Sequence, residues 1–190
     1  MRIQPNTYRQ LPLYAHTFLS DVPLHDVWAI PLPNGRPNLT LRHVMALMQT
    51  SEPRRVNPIV RALFGLRWFL GRLFRWDKEP QKTTIPSYID RLPPADHARS
   101  LDQPGRQNGL FRVVYTFDNE SLGEIINGTV HAFSLLTLQP AEKGHILYWA
   151  IYVKKINRLT PFYMALIDPF RRRLIYPAIT KNIQHHLDRP

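Results

Sequence analysis

The chain has 190 residues, 44% of them hydrophobic, a formal net charge of +11 and no cysteine. That length is most simply one domain with a sizeable core, and the lack of cysteine excludes disulfides, thiolate metal sites and cysteine nucleophiles. The charge is uneven: residues 27–76 carry eight arginines against Glu52 alone, and residues 153–190 carry eight Lys or Arg against Asp168 and Asp188, so the positive field belongs to helical segments and the sheet region is near neutral.

Residues 1–24 show no clear period and hold Pro5, Pro12 and Pro23, which reads as an irregular arm ahead of a single domain over 25–190. Arg2, Gln4, Asn6, Arg9 and His16 interrupt any apolar signal-peptide core there, so a cytoplasmic protein, peripheral at a membrane if it binds one, is the expectation. Val27 to Leu32 reads as a short edge strand, because Pro31 and Pro33 are tolerated only at an edge or end. Leu41, Val44, Met45 and Met48 recur at spacings of three and four, predicting a helix over 40–49. Asn57 as N-cap and Pro58 at the first position predict a second helix running to about Trp76. Ile59, Ala62, Leu63, Leu66, Phe69, Leu70 and Leu73 share its apolar face, and Arg61, Arg72 and Arg75 share the other with Phe64 and Trp68. That basic face is the candidate contact for a polyanion, either an anionic membrane surface or nucleic acid; a solvated face is the plain alternative. Four arginines between Ile59 and Trp76 argue against a membrane span. Residues 77–109 hold five prolines and little period, which suits a lid, a binding loop or a surface loop with a short strand at 85–89.

Four runs follow that are rich in β-formers: Leu110 to Phe117, Leu122 to Ile126, Thr129 to Leu138 and His145 to Val153. The turns between them, above all Asn127-Gly128 read as a two-residue type I′ turn, make this an antiparallel meander. Alternation puts Phe111, Val113, Tyr115, Phe117, Leu122, Glu124, Ile126, Thr129, His131, Phe133, Leu135, Tyr148, Ala150 and Tyr152 on one face. Arg112, Val114, Ile125, Val130, Ala132, Leu136, Leu147, Trp149, Ile151 and Val153 take the other. With these turns Tyr115 opposes Glu124 and Glu124 opposes His131, a polar row across three strands and the candidate catalytic group. A cross-strand pair that only satisfies its own hydrogen bonds is the plain alternative. After the sheet, Thr160-Pro161 and Asp168-Pro169 each have the residues of a helix start, and Pro177 predicts an interruption in the second helix. His185 and His186 are adjacent rather than at ligand spacing, so neither a metal nor a cofactor is expected.

The element order resembles that of the helix-grip proteins of the START and polyketide-cyclase-like superfamily. The run Gly123-Glu124-Ile125-Ile126-Asn127-Gly128-Thr129-Val130-His131-Ala132-Phe133, followed by Tyr163 through Asp168-Pro169-Phe170-Arg171-Arg172, resembles an uncharacterised bacterial domain family. The similarity covers about residues 57–180, and some members of that family sit behind a nucleotide-binding reductase domain. The resemblance implies an α+β helix-grip fold: a curved antiparallel sheet wrapped on a long C-terminal helix, with two helices inserted after the first strand. It also implies a cavity between sheet and helix for a hydrophobic or amphipathic small molecule or lipid. On that reading Phe111, Tyr115, Phe117, Glu124, His131, Phe133, Tyr148 and Tyr152 line the cavity and Arg171 meets an anionic end. Three readings stay open: a binder of such a molecule, a cyclase or dehydratase moving a proton through Glu124 and His131, and a basic protein on an anionic surface. The largely aliphatic second face calls for a partner, for which a second copy of the chain is one choice.

Overall fold

A computed structural model describes residues 2–32, 38–50 and 85–187, and elements are numbered over these. The expected helix from Asn57 to Trp76, with Arg61, Arg72 and Arg75, lies outside them. The fold is α+β, with a curved, open six-stranded antiparallel sheet and a C-terminal helix against it in the helix-grip arrangement. Strand β1 (Leu24–Leu32) is one edge, and the order continues through β6 (His145–Lys154), β5 (His131–Pro140), β4 (Glu120–Ile126) and β3 (Phe111–Thr116) to β2 (Gln107–Asn108). The edge position of β1 fits Pro31, which has no N–H for an outer ladder. Part of its free side is occupied: Ile3 donates its N–H to the Val27 carbonyl at 3.2 Å.

Both faces are covered, and by different segments from those the pattern implied. The N-terminal arm is not irregular: it forms two short helices, α1 (Pro5–Arg9) and α2 (Tyr14–Phe18). Its Tyr8, Leu13, Ala15, Leu19 and Val22 pack onto the aromatic face of the sheet, against Tyr115, Leu122, Phe133, Leu135 and Ala150. Residues 85–99 complete this cover. They form a 3-10 turn at Ile89–Arg91 and helix α4 (Pro94–Arg99) rather than a strand at 85–89. On the aliphatic face lie α3 (Leu41–Thr50) and the C-terminal α6 (Tyr176–Leu187), which pack Leu41, Val44, Ile179 and Ile183 against Ile30, Leu138 and Leu147. Helix α5 (Thr160–Phe170) adds Tyr163 and Met164 over Val130 and Ala132. The C-terminal helix therefore grips the aliphatic face, where the aromatic one was expected to receive it. Burying large apolar side chains at about 1.5–3 kcal/mol each is favourable on either face, so alternation alone cannot assign a cover.

Helices α5 and α6 are joined by a π-helical turn at Arg171–Ile175, just before Pro177. The chain widens its hydrogen-bond pattern where the proline removes a donor, which is the expected interruption. Asp168, by contrast, is no N-cap. It sits inside α5 with Pro169 in the helix behind it, and its carboxylate is engaged in ion pairs described below.

Two local departures set the register. The Asn127-Gly128 link is a wider loop: Ile126 opposes His131 and Glu124 opposes Phe133, and the left-handed glycines among the described residues are Gly105, Gly109 and Gly144. Asn127 organises the loop instead, its Oδ1 accepting the N–H groups of Thr129 at 2.9 Å and Val130 at 3.0 Å. Because Asn127 is buried, Asn127→Ala leaves two amides without their acceptor. It is expected to cost about 1–3 kcal/mol, read as a lower urea midpoint. The second departure is a bulge in β3: Tyr115 pairs with Leu122, yet Val113 pairs with Gly123 and Arg112 with Glu124. The extra residue, Val114, joins the aromatic-face core, and beyond it the side chains swap faces. Phe111 and Val113 thus leave the aromatic face and Arg112 enters it. Phe111 packs where Gly123 has no side chain, its Cβ 3.0 Å from where a Gly123 Cβ would sit.

Candidate functional site

Strand β4 carries two buried carboxylates on the aromatic face, and each fastens a covering segment. Glu120 accepts the backbone N–H of Tyr14 at 3.0 Å and that of Ala15 at 3.4 Å, tying down the start of α2. Burial pushes its carboxyl pKa up, against those two bonds. Glu124 holds the segment from Ser87: Oε1 accepts the N–H of Tyr88 at 2.8 Å and Oε2 accepts the Ser87 hydroxyl at 2.5 Å. Burial would raise the Glu124 pKa, but hydrogen bonds from His131, Ser87 and Tyr88 outweigh it and hold the carboxyl below its ordinary value.

His131 completes this centre. Its Nε2 lies 2.7 Å from Glu124 Oε1, both side chains are buried, and its Nδ1 has no hydrogen-bond partner. The two residues are diagonal rather than opposed, since the wider loop shifts the pairing by two positions. That is one full period of a strand, so they keep a common face. Arg112, flipped inward by the bulge, brings Nη2 to 3.8 Å from Glu124 Oε2.

His131 lines a pocket of about 410 Å³ between the β4–β5 loop, residues 85–91 and the segment leaving β6. Ile85, Pro86 and Ile156 give it apolar wall, Asn127 and Asn157 give it amides, and Arg91, Lys154 and Lys155 give it positive charge. The wall is braced: Asn157 Nδ2 donates to the Gly128 carbonyl at 2.8 Å, and the Thr160 hydroxyl donates to the Thr129 carbonyl at 2.7 Å. At the rim Asp21 accepts from the Tyr88 hydroxyl at 2.6 Å, Lys154 at 3.1 Å and Arg91 at 3.2 Å. Burial acts against it, but these three bonds hold its carboxyl far below the usual range. Three cations against that one rim carboxylate leave the mouth positive.

The expected cavity residues divide. Tyr115, Phe117, Phe133 and Tyr152 are buried in the core shared with the arm, and Tyr148 packs at its margin. Tyr115 stands apart from Glu124 and His131: it pairs with Leu122, stacks on Phe117 at 4.4 Å and leaves its hydroxyl without a partner. The expected polar row is thus reduced to Glu124 and His131. Ser87, Tyr88, Lys154 and Lys155 were missed. Lys154 was legible, because one more step of the alternation through Tyr148, Ala150 and Tyr152 reaches it, and it pairs with His131. Ser87 and Tyr88 come from an aperiodic segment 36 residues or more from Glu124, and no local signal marks them.

Arg171 is on the other face of the sheet, in a second charged centre. Its Nη2 donates to Asp26 Oδ1 at 2.8 Å and to the Tyr176 hydroxyl, and its Nη1 to Asp168 Oδ1 at 2.8 Å. Asp168 also takes His25 Nε2 at 2.7 Å and Arg172 Nη2 at 3.2 Å. Tyr176 is held between Trp28 and Trp149, each ring centroid 4.7 Å away. Where an anionic ligand was expected at Arg171, the protein's own Asp26 and Asp168 stand. His25, Asp26 and Asp168 bring ligand atoms within 4.8 Å of one another, and Arg171 and Arg172 already pair with both carboxylates, although Asp26 Oδ2 takes no hydrogen bond and has Arg172 Nε at 3.6 Å.

Searches among curated proteins and among solved structures return no match. A family model described as "Protein of unknown function (DUF2867)" matches residues 18–178, a span that takes in the whole sheet, both buried charge centres and the pocket. The chain belongs to the DUF2867 family.

Proposed function

We propose that this protein binds a small amphipathic molecule with an anionic end, seated in the pocket beside His131. One observation carries the reading: a buried histidine, held through Nε2 by a buried glutamate, lines a pocket whose mouth carries Arg91, Lys154 and Lys155. Mixed apolar walls with a few fixed polar groups are the usual make-up of small-molecule sites. The helix-grip arrangement supports the same reading by analogy, through kinship with START and polyketide-cyclase-like proteins, which this proposal includes. It differs from the sequence expectation in position: the arm fills the aromatic face, so the ligand is assigned to the open end of the sheet. Anilinonaphthalene sulfonate, an amphipathic anion, is the probe. The expected result is saturable binding that weakens about tenfold in Lys155→Ala, with His131→Asn altering the emission of the bound dye. Absence of saturable binding, or binding indifferent to both substitutions, overturns the reading, and native mass spectrometry of the purified chain identifies any molecule carried through purification.

The free Nδ1 of His131 favours a second reading on the same site, proton transfer to and from the bound molecule. Glu124 then fixes the ring and offsets its charge, as second carboxylates do beside catalytic histidines. Conversion of a bound molecule by the wild type, lost in His131→Asn with binding retained, supports it; binding with no conversion leaves a carrier.

A further inference from the structure

Helix α5 buries Tyr163, Met164 and Asp168 and turns a different set of residues to solvent. Phe162 is 76% exposed, Leu159 48% and Leu166 38%, large exposures for side chains of this kind. With Ala165 and Pro169, also exposed, they form one apolar strip along the outer side of the helix, at spacings of three and four. Single exposed apolar residues are ordinary on a protein surface, whereas a continuous strip marks an interaction site.

The exposed charges that flank this strip along the chain are of one sign. Lys155 and Arg158 precede it, Arg173 follows it, and all three are exposed. The one acid between residues 155 and 173 is Asp168, buried and already paired with His25, Arg171 and Arg172. A pocket of about 320 Å³ opens on the strip between Ala165, Pro169, Arg172 and Arg173, with Asp168 at its floor. Apolar side chains bounded by cations, beside a basic recess, match the layering of an anionic bilayer surface: acyl region for Phe162 and Leu166, phosphates for the arginines. No helix among the described residues is long and apolar enough to cross a bilayer, and the contact proposed is one at its surface.

We infer that the outer side of α5, with Phe162 and Leu166 as inserting residues and Lys155, Arg158 and Arg173 as the cationic rim, docks the protein on anionic lipid membranes. It rests on different observations from the pocket beside His131, with which it shares Lys155. It assigns the docking to an element distinct from the arginine-rich stretch singled out in the sequence.

The test is co-sedimentation of the full chain with vesicles, of phosphatidylcholine alone or of phosphatidylcholine mixed with phosphatidylglycerol. Binding is expected to the mixed vesicles, at least about tenfold weaker to the neutral ones, and to weaken as the Debye length falls from about 10 Å at 0.1 M salt to about 3 Å at 1 M. Phe162→Ser with Leu166→Ser, both at exposed positions and checked by circular dichroism, is expected to reduce binding at least tenfold. Arg158→Glu with Arg173→Glu does the same through the charge alone. The inference is overturned if neither vesicle binds, if the serine variant binds as the wild type does, so that adhesion resides elsewhere in the basic chain, or if the wild type is a dimer that the serine variant dissociates, so that a second copy covers the strip.

Discussion

Glu124→Ala is expected to lose about 3–5 kcal/mol of unfolding free energy, since it leaves three groups without their acceptor at about 1–3 kcal/mol for each that is buried. The magnitude follows from what the carboxylate does: the Tyr88 amide, the Ser87 hydroxyl and His131 Nε2 all bond to it, and the carboxylate itself is fully buried. Against a typical total of about 5–15 kcal/mol, that is a large share, and chemical denaturation measures it. Glu124→Gln keeps the shape but turns an amide N–H2 toward a donor, for an expected loss of about 1–3 kcal/mol. The acid limb of the stability profile gives an independent check. The folded-state pKa of Glu124 lies below its ordinary value of 4.5, so its contribution is fully present above that value and is lost as pH falls through the folded pKa. In Glu124→Gln this part of the acid dependence disappears, and the variant and wild type converge at low pH. A profile whose slope below pH 4.5 is the same in both would show that the carboxylate is not the anchor described.

Arg171→Ala is expected to cost a similar amount, about 3–5 kcal/mol, and to act on a different part of the molecule. Asp26 and Asp168 are 2% and 8% exposed, and Arg171 bridges them while donating to Tyr176. Without it Asp168 keeps His25 and Arg172, but Asp26 is left with Arg172 Nε at 3.6 Å as its remaining ion pair. The bridge joins β1 to the C-terminal helices, so amide exchange is expected to accelerate first in residues 160–187. Arg171→Lys recovers part of the loss, since a single ammonium cannot span two carboxylates as a planar guanidinium does. Asp26→Ala in the Arg171→Ala background is expected to cost less than Asp26→Ala alone, because a lone buried carboxylate is removed. Equal costs in the two backgrounds would mean that the pair is not coupled.

Both centres show how much of the site the sequence carried. Alternation puts Glu124 and His131 on one face, and they stay there although the Asn127-Gly128 link is wider than a two-residue turn: a two-residue slip is a full strand period and changes the partner without changing the face. The bulge at Val114 is a one-residue event, and it turns Phe111 and Val113 to the face opposite the one that strict alternation predicts. Nothing in the run Leu110 to Phe117 marks which residue is the extra one, since every position there except Arg112 is acceptable inside a strand.

By itself, then, the sequence determined the antiparallel meander, the edge strand with Pro31, the helix starting at Thr160-Pro161, the interruption near Pro177 and the carboxylate and histidine that share a face. Each depends on a period or a turn written within a few consecutive residues. The tertiary structure decided which cover lies on which face, the company Glu124 keeps and the use made of Arg171. Those depend on competition between distant segments for the same apolar surface. The N-terminal arm and the segment from Ser87 win the aromatic face because Glu120 accepts the backbone amides of Tyr14 and Ala15 and Glu124 accepts that of Tyr88. The C-terminal helices take the aliphatic face because Asp26 stands there to receive Arg171. Pairings across 36 to 145 residues leave no mark in either partner's local pattern, and only the folded chain brings them together.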